Sequence, residues 1–260
     1  MKVTFLGTGT SQGVPVIACD CNVCCSTNKH DKRLRSSVMI ETHGINISID
    51  CGPDFRTQML RENVKHLEAI VFTHEHKDHI GGLDDIRSFN YISGKPMDVY
   101  AESRVQDTIK NEFSYAFAKV KYPGVPEIML HTIDENPFFI QNIPVTPIRL
   151  MHYKLPILGF RIGNFAYLTD IKTISTEEKK KLIGCTHLAV SGLRHQTHLS
   201  HFTLKEAIGL IHEIKPAYGY ITHISHQAGL HSELNETLPP GINIAFDGLS
   251  FELDEPQLKS

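Results

Sequence analysis

The chain has 260 residues, 41% of them hydrophobic and 21% charged, with a formal net charge of −3. That balance fits a soluble globular protein able to bury a full core. It offers no basic footprint for nucleic acid, and no apolar run reaches the roughly 18 to 20 residues that a membrane helix needs.

The opening Met1-Lys2-Val3-Thr4-Phe5-Leu6-Gly7 lacks the long apolar core of a signal peptide and reads as a first strand, so a cytoplasmic location is expected. Next comes a cluster of thiols, Cys19, Cys21, Cys24 and Cys25, which in a reducing compartment points to metal rather than disulfides. Apolar runs at 38–40 and 45–49 read as strands, the second ending in Asp50. Residues 54–63 have a helical pattern, and the strand 69–72 leads into Thr-His-Glu-His-Lys-Asp-His-Ile-Gly-Gly at 73–82. A strand at 99–101 and a helix over 103–117 follow, then a proline-rich stretch, 123–147, expected to form loops and edge strands. Residues 148–151 run into His152, strands are expected at 160–162 and 165–168, and Asp170 follows the second of these. After a helix at 175–182 and a strand at 188–190, Thr203-Leu204-Lys205-Glu206 forms a capping box for a helix over 203–214. A last strand, 218–222, ends in His223. Strands interleaved with helices, without a linker or repeat, suggest two sheets flanked by helices over residues 1–260 as one domain.

The 73–82 segment carries the clearest chemistry. Neutral imidazole and carboxylate are common ligands for zinc, manganese and iron. In extended chain His74 and His76 point the same way and can reach one ion, while Asp78 and His79, past a turn, can face a second. Gly81 and Gly82 are expected to let the backbone turn sharply into a following helix.

His74-x-His76-x-Asp78-His79 after an apolar strand resembles the signature of the metallo-β-lactamase superfamily. The resemblance implies an αββα sandwich, two mixed sheets flanked by helices, with a dinuclear metal centre at one edge. It assigns His74, His76 and His152 to one ion and Asp78, His79 and His223 to the other, with Asp170 as the bridge. Asp50 falls where a residue supports the ligands through hydrogen bonds, although a plain turn aspartate would look the same. "GTGTSQGVP", "CDCNVC", "THISHQ" and "FDGLSFEL", in that order, resemble the phosphoribosyl cyclic phosphodiesterases (PhnP proteins). A small cyclic or linear phosphodiester such as a ribosyl 1,2-cyclic phosphate is then the expected substrate and a homodimer the expected assembly. Two divalent ions, manganese, zinc or iron, would share a hydroxide aimed at phosphorus. Asp78 and His201 are the expected catalytic groups. His201, two residues before the Thr203 cap, stands where the family keeps a histidine facing the substrate, as acid or phosphate-binding group. His198 is its reserve and His195 is expected to be exposed. Lys154 suits either a phosphate contact or a plain surface position.

Cys19-x-Cys21-x-x-Cys24 supplies three thiolates of a tetrahedral structural zinc site, and the resemblance points to His226 as the fourth ligand. Cys25 is left as a spare thiol, and Cys51 and Cys185 as small core residues. Two rival readings share the metal-centre pattern: a transfer RNA 3′-processing endonuclease, which the net charge and the lack of a long RNA-grasping insertion disfavour, and a binding or oxidative protein like the pyrroloquinoline quinone biosynthesis B proteins. A thioester hydrolase or lactonase is also compatible with the centre.

Overall fold

A computed structural model describes residues 1–258. The first sheet places β1 (Lys2–Gly7), β2 (Ser37–Thr42), β3 (Ile45–Ile49), β4 (Ala69–Val71), β5 (Met97–Ala101) and β6 (Ile128–Thr132) side by side in chain order. The second is built from β7 (Phe138–Ile140), β8 (Ile143–His152), β9 (Leu155–Ile162), β10 (Phe165–Leu168), β11 (Thr173–Ile174), β12 (His187–Ser191), β13 (Tyr218–Thr222) and β14 (Ile242–Ile244). Its order is β11-β8-β9-β10-β12-β13-β14, with β7 paired to β8, and β15 (Ser250–Glu252) returns to pair with β1. Both sheets follow one plan. Antiparallel neighbours (β1-β2-β3 and β8-β9-β10) lead into parallel ones (β3-β4-β5-β6 and β10-β12-β13-β14).

Strand periodicity explains the layering. Successive side chains point to opposite faces, so a strand buried on both faces reads as an unbroken apolar run. Ala69 and Val71 enter the core between the sheets with Phe5, Ile47, Phe160 and Tyr167. Their neighbours Ile70 and Phe72 face outward, under α1 (Phe55–Arg61) and α2 (Ser103–Glu112). On the far side Ala166, Leu168, Leu188 and Val190 pack under α3 (Leu204–Ile214), which buries Leu204, Ala207, Leu210 and Ile211. The order is helices, sheet, sheet, helices: an αββα sandwich. Each fully buried aliphatic or aromatic side chain contributes about 1.5–3 kcal/mol, which sets the two sheets face to face. Among the described residues no helix is long and apolar enough to cross a membrane.

Several expected elements differ in extent. The helix over 103–117 stops at Glu112, and Ser114–Phe117 continues as a 3₁₀ turn. The proline-rich stretch holds an edge strand, β6, as expected, but also the start of the ten-residue β8, which lies inside its sheet. The β9 strand begins at Leu155 rather than 160, because it pairs with β8 back to the hairpin tip, where Leu155 faces His152.

The glycine pair at 81–82 plays a different part from the one expected. Gly81 has φ −66° and Gly82 φ −95°, angles open to any residue, and the short helix Lys77–Ile80 precedes them. What they supply is a missing Cβ. A Cβ on Gly82 would lie 2.0 Å from the carbonyl oxygen of Gly52, and one on Gly52 would lie 2.1 Å from that of Asp78. This contact lets Cys51 N–H donate to His79 O (2.7 Å) and Gly82 N–H to Cys51 O (2.9 Å), clamping the histidine motif against the end of β3.

Candidate metal centre

The histidines and aspartates of the sequence motifs gather along one edge of the sandwich. His74 and His76 follow β4, Asp78 and His79 lie on Lys77–Ile80, His152 ends β8, Asp170 follows β10 and His223 follows β13. Asp50 (φ 66°), Asp170 (φ 55°) and His223 (φ 56°) each take a left-handed conformation where their strand ends. Non-glycine residues occupy that region at a cost, and such residues cluster at functional sites.

Four buried histidines of the cluster, His74, His79, His152 and His223, have Nδ1 tied to an inner acceptor. His74 Nδ1–H donates to the Thr73 hydroxyl (3.0 Å), which itself donates to Asp50. His79 Nδ1–H donates to Asp50 Oδ2 (2.7 Å). His152 Nδ1–H points at the carbonyls of Asp170 and Ser200, both at 2.9 Å. His223 Nδ1–H donates to Ser36 Oγ (3.1 Å), whose own proton goes to Gly9 O. These partners place the proton on Nδ1 and leave the Nε2 lone pair for the site, the arrangement that second-layer acceptors give metal-binding imidazoles.

The lone pairs then converge on one another. His79 Nε2 lies 3.2 Å from both Asp78 Oδ2 and Asp170 Oδ2, and His223 Nε2 lies 3.2 Å from Asp170 Oδ1. Nε2 of His74 and of His79 is buried without a hydrogen-bond partner among the described residues. Donor atoms of His74, His79 and Asp170, of Asp78, His79 and His223, and of His152, Asp170 and His201 lie within 4.8 Å of one another in each set. Those sets do not include His76, which is exposed at the rim, its ring 4.5 Å from that of His74 and 5.1 Å from that of His152. Burial opposes ionisation of Asp78, but His79 outweighs it and holds the carboxyl well below the usual range. Despite its own burial, His79 is pushed well above the usual imidazole range by Asp78, Asp50 and Asp170; a divalent ion would take the place of its Nε2 proton. Burial likewise opposes charge on Asp170, which His223 and His79 keep ionised. Buried acceptors aimed at each other are costly unless a cation lies among them. The donor set therefore fits divalent ions bound by imidazole and carboxylate.

Asp50 joins the centre from behind. Entirely buried, it accepts from the Thr73 amide and hydroxyl as well as from His79. His201 lies on the open side, its ring 4.6 Å from that of His152 and 5.0 Å from that of His223. Its Nδ1 is 3.5 Å from Asp170 Oδ1 and makes no hydrogen bond among the described residues. Burial pushes the His201 imidazole down to about 3. His198 sits beside it, with Nδ1 near the amide and hydroxyl of Ser200 (3.3 and 3.2 Å), and His195 is exposed. Lys154 is not a remote surface residue: with Tyr153 it lines the mouth of the centre together with His76 and His152.

A second set of donors lies at the N-terminal loop. The Sγ atoms of Cys19, Cys21 and Cys24 stand 3.3, 3.4 and 3.5 Å from Nδ1 of His226, and none of the cysteines is in a disulfide. A tetrahedral zinc with ordinary Zn–S and Zn–N lengths separates sulfur from nitrogen by about 3.6 Å, so the four atoms have the spacing such an ion requires. The Cys24 amide and His226 pull the Cys21 thiol down to about 6, whereas burial pushes Cys24 up to about 11. Cys25 is exposed and apart from this set, and Cys51 and Cys185 are buried elsewhere.

Residues 45–224 match the family described as the Beta-lactamase superfamily domain. A crystal structure described as a new diphosphatase from the PhnP family superposes with a TM-score of 0.93 at 39% identity, covering 98% of each chain. Among curated proteins, an octanoyltransferase of Porphyromonas gingivalis is 44% identical over 262 residues, covering 100% of this chain and 53% of that protein. A ribonuclease Z of Prochlorococcus marinus is 30% identical over 168 residues, 63% of this chain and 49% of that protein. The chain thus spans about half the length of these curated relatives. With its αββα sandwich and a histidine–aspartate cluster along one edge, the chain belongs to the metallo-β-lactamase superfamily and resembles the PhnP proteins within it.

Proposed function

We propose that the protein is a metal-dependent phosphodiesterase acting on a small cyclic or linear phosphodiester. The observation that carries this reading is the convergence of Nε2 lone pairs and carboxylate oxygens of His74, Asp78, His79, Asp170 and His223 in a cluster whose Nδ1 protons are all engaged elsewhere. His74, His76 and His152 would hold one ion and Asp78, His79 and His223 another, with Asp170 between them. Two such ions supply a nucleophile at neutral pH and offset charge on the phosphoryl oxygens.

The chain's own groups do the rest. Asp50, Thr73 and Ser36 fix the imidazole rings, so that the site is formed before substrate arrives. His201 meets the phosphoryl or leaving oxygen. Its buried ring is neutral in the free protein, and a bound anion offsets the burial, letting it carry the proton that the departing alkoxide needs. The loop of Cys19, Cys21, Cys24 and His226 would bind a structural zinc and hold the segment that bears His223.

The test is a panel of cyclic and linear phosphodiesters, a diphosphate ester and an octanoyl thioester, run on protein stripped and then reloaded with manganese or zinc. Chelator-sensitive cleavage of phosphodiesters, with the thioester left intact, is the expected result. Similarity to a ribonuclease Z favours one other reading, cleavage of transfer RNA 3′ trailers. The net charge of −3 weighs against it, and a precursor transfer RNA in the same panel decides.

A further inference from the structure

The hairpin joining β8 to β9 stands at the mouth of the candidate centre. His152 pairs with Leu155 across it, leaving only Tyr153 and Lys154 in the turn. Tyr153 has φ 56°, a conformation that turns of this length normally give to glycine or asparagine. The tyrosine held there keeps 47% of its surface exposed. Its ring helps to wall a cavity of about 450 Å³ lined by His76, His152, Tyr153, Lys154, Leu155 and Ser200. Because His76 and His152 form its inner wall, the cavity is continuous with the metal centre.

The chemistry of that wall is specific. The Tyr153 ring, the Leu155 side chain and the Lys154 stem are apolar, and the Ser200 hydroxyl is already engaged with His198 Nδ1 (3.2 Å). Sugar hydroxyls would find few partners there. A flat aromatic group would find a ring to stack on and an aliphatic wall. The Lys154 ammonium lies over one face of the Tyr153 ring, 5.4 Å from its centroid, leaving the other face for stacking and adding a positive charge suited to a phosphate or to the edge carbonyl of a base.

Building on the phosphodiesterase reading, we infer that Tyr153 and Lys154 form a lip that selects phosphodiesters carrying an aromatic substituent, a nucleobase or an aryl group, over base-free sugar phosphates. Tyr153 is the specificity-determining residue, and Lys154 holds the charged side of the same ligand.

Two substrates with the same reacting group separate this from the parent reading: uridine 2′,3′-cyclic phosphate and methyl riboside 2′,3′-cyclic phosphate, which differ only in the base. Metal-loaded wild type should favour the uridine compound roughly tenfold in kcat/KM, through KM, in line with the strength of base–aromatic stacking. Tyr153→Ala should bring that ratio close to one, and Tyr153→Phe should keep it. Cleavage of both compounds with equal KM in the wild type, or an unchanged ratio in Tyr153→Ala, overturns the lip while leaving the phosphodiesterase reading in place. A second readout needs no turnover. The chain has eight tyrosines and no tryptophan, so titration with uridine 5′-monophosphate can be followed on tyrosine ring resonances, with Tyr153→Phe identifying the signal of interest. A ring-current shift at Tyr153 supports the lip even if neither cyclic phosphate is cleaved; no shift at saturating nucleotide overturns it.

Discussion

Asp50 Oδ2 accepts the Nδ1 proton of His79 at 2.7 Å, with both side chains wholly buried. The bond does two things: it directs Nε2 of His79 toward Asp78 and Asp170, and it adds a buried negative charge behind the cluster. Asp50→Asn keeps the shape but removes the charge and turns one acceptor into a donor. The expected result is a folded protein whose affinity for active-site metal falls about 10- to 100-fold, measured by competition with a chromogenic chelator. Metal affinity equal to wild type would show that Asp50 is only a turn residue.

Removing Asp170 should be more severe, because its two oxygens face His79 and His223 at 3.2 Å each. Asp170→Ala is expected to lose nearly all phosphodiesterase activity and at least one equivalent of bound metal, read by elemental analysis. Full turnover in this variant contradicts a paired centre.

His201→Ala separates proton delivery from metal binding. The ring faces the open side of the site and stands 3.5 Å from the Asp170 carboxylate. Metal content should stay near the wild-type level while kcat falls about 10²- to 10⁴-fold. The loss should shrink for a substrate with an aryl leaving group, whose oxygen departs without a proton. An equal loss for alkyl and aryl esters assigns His201 to phosphate binding instead.

For the cysteine loop, Cys21→Ser should remove one tightly held zinc per chain and lower the melting temperature. Activity should fall indirectly, since His226 lies three residues from His223. Unchanged zinc content in the variant would rule out the site formed by Cys19, Cys21, Cys24 and His226.

Two glycine-to-alanine changes should have opposite signs. At Gly82 the new methyl would lie 2.0 Å from the Gly52 carbonyl oxygen, so the backbone must move and about 3 kcal/mol of stability is lost. At Gly209, exposed in the middle of α3, nothing lies within 4 Å, and alanine should add about 0.5–1 kcal/mol through helix propensity. Urea unfolding of both variants checks the pair.

Much of this architecture is written locally. Apolar runs long enough to bury both faces identify the central strands, and the residue at the end of each run is known by position alone. His74, His152, Asp170 and His223 are therefore visible as polar residues at strand ends. The spacing of Cys19, Cys21 and Cys24 is equally local, since a short loop must bring its own thiols together. Extents are less legible where pairing decides them. β9 reaches back to Leu155 because β8 runs beside it, and β14 and β15 are strands because β13 and β1 offer them an edge.

Only the tertiary structure decided relations that depend on distant backbone. The partner of His79 is Asp50, just past the end of β3, and that of His223 is Ser36, 187 residues away. Gly82, after the histidine motif, is required because the chain at Gly52 passes against it, a contact that its own φ angle does not reveal. Tyr153 and Lys154 line the mouth of the centre because the β8–β9 hairpin holds them beside His152, in a cavity that His76 from the end of another strand also lines. Side-chain type and strand period are properties of neighbouring residues. Which lone pairs face one another is set by how the two sheets pack.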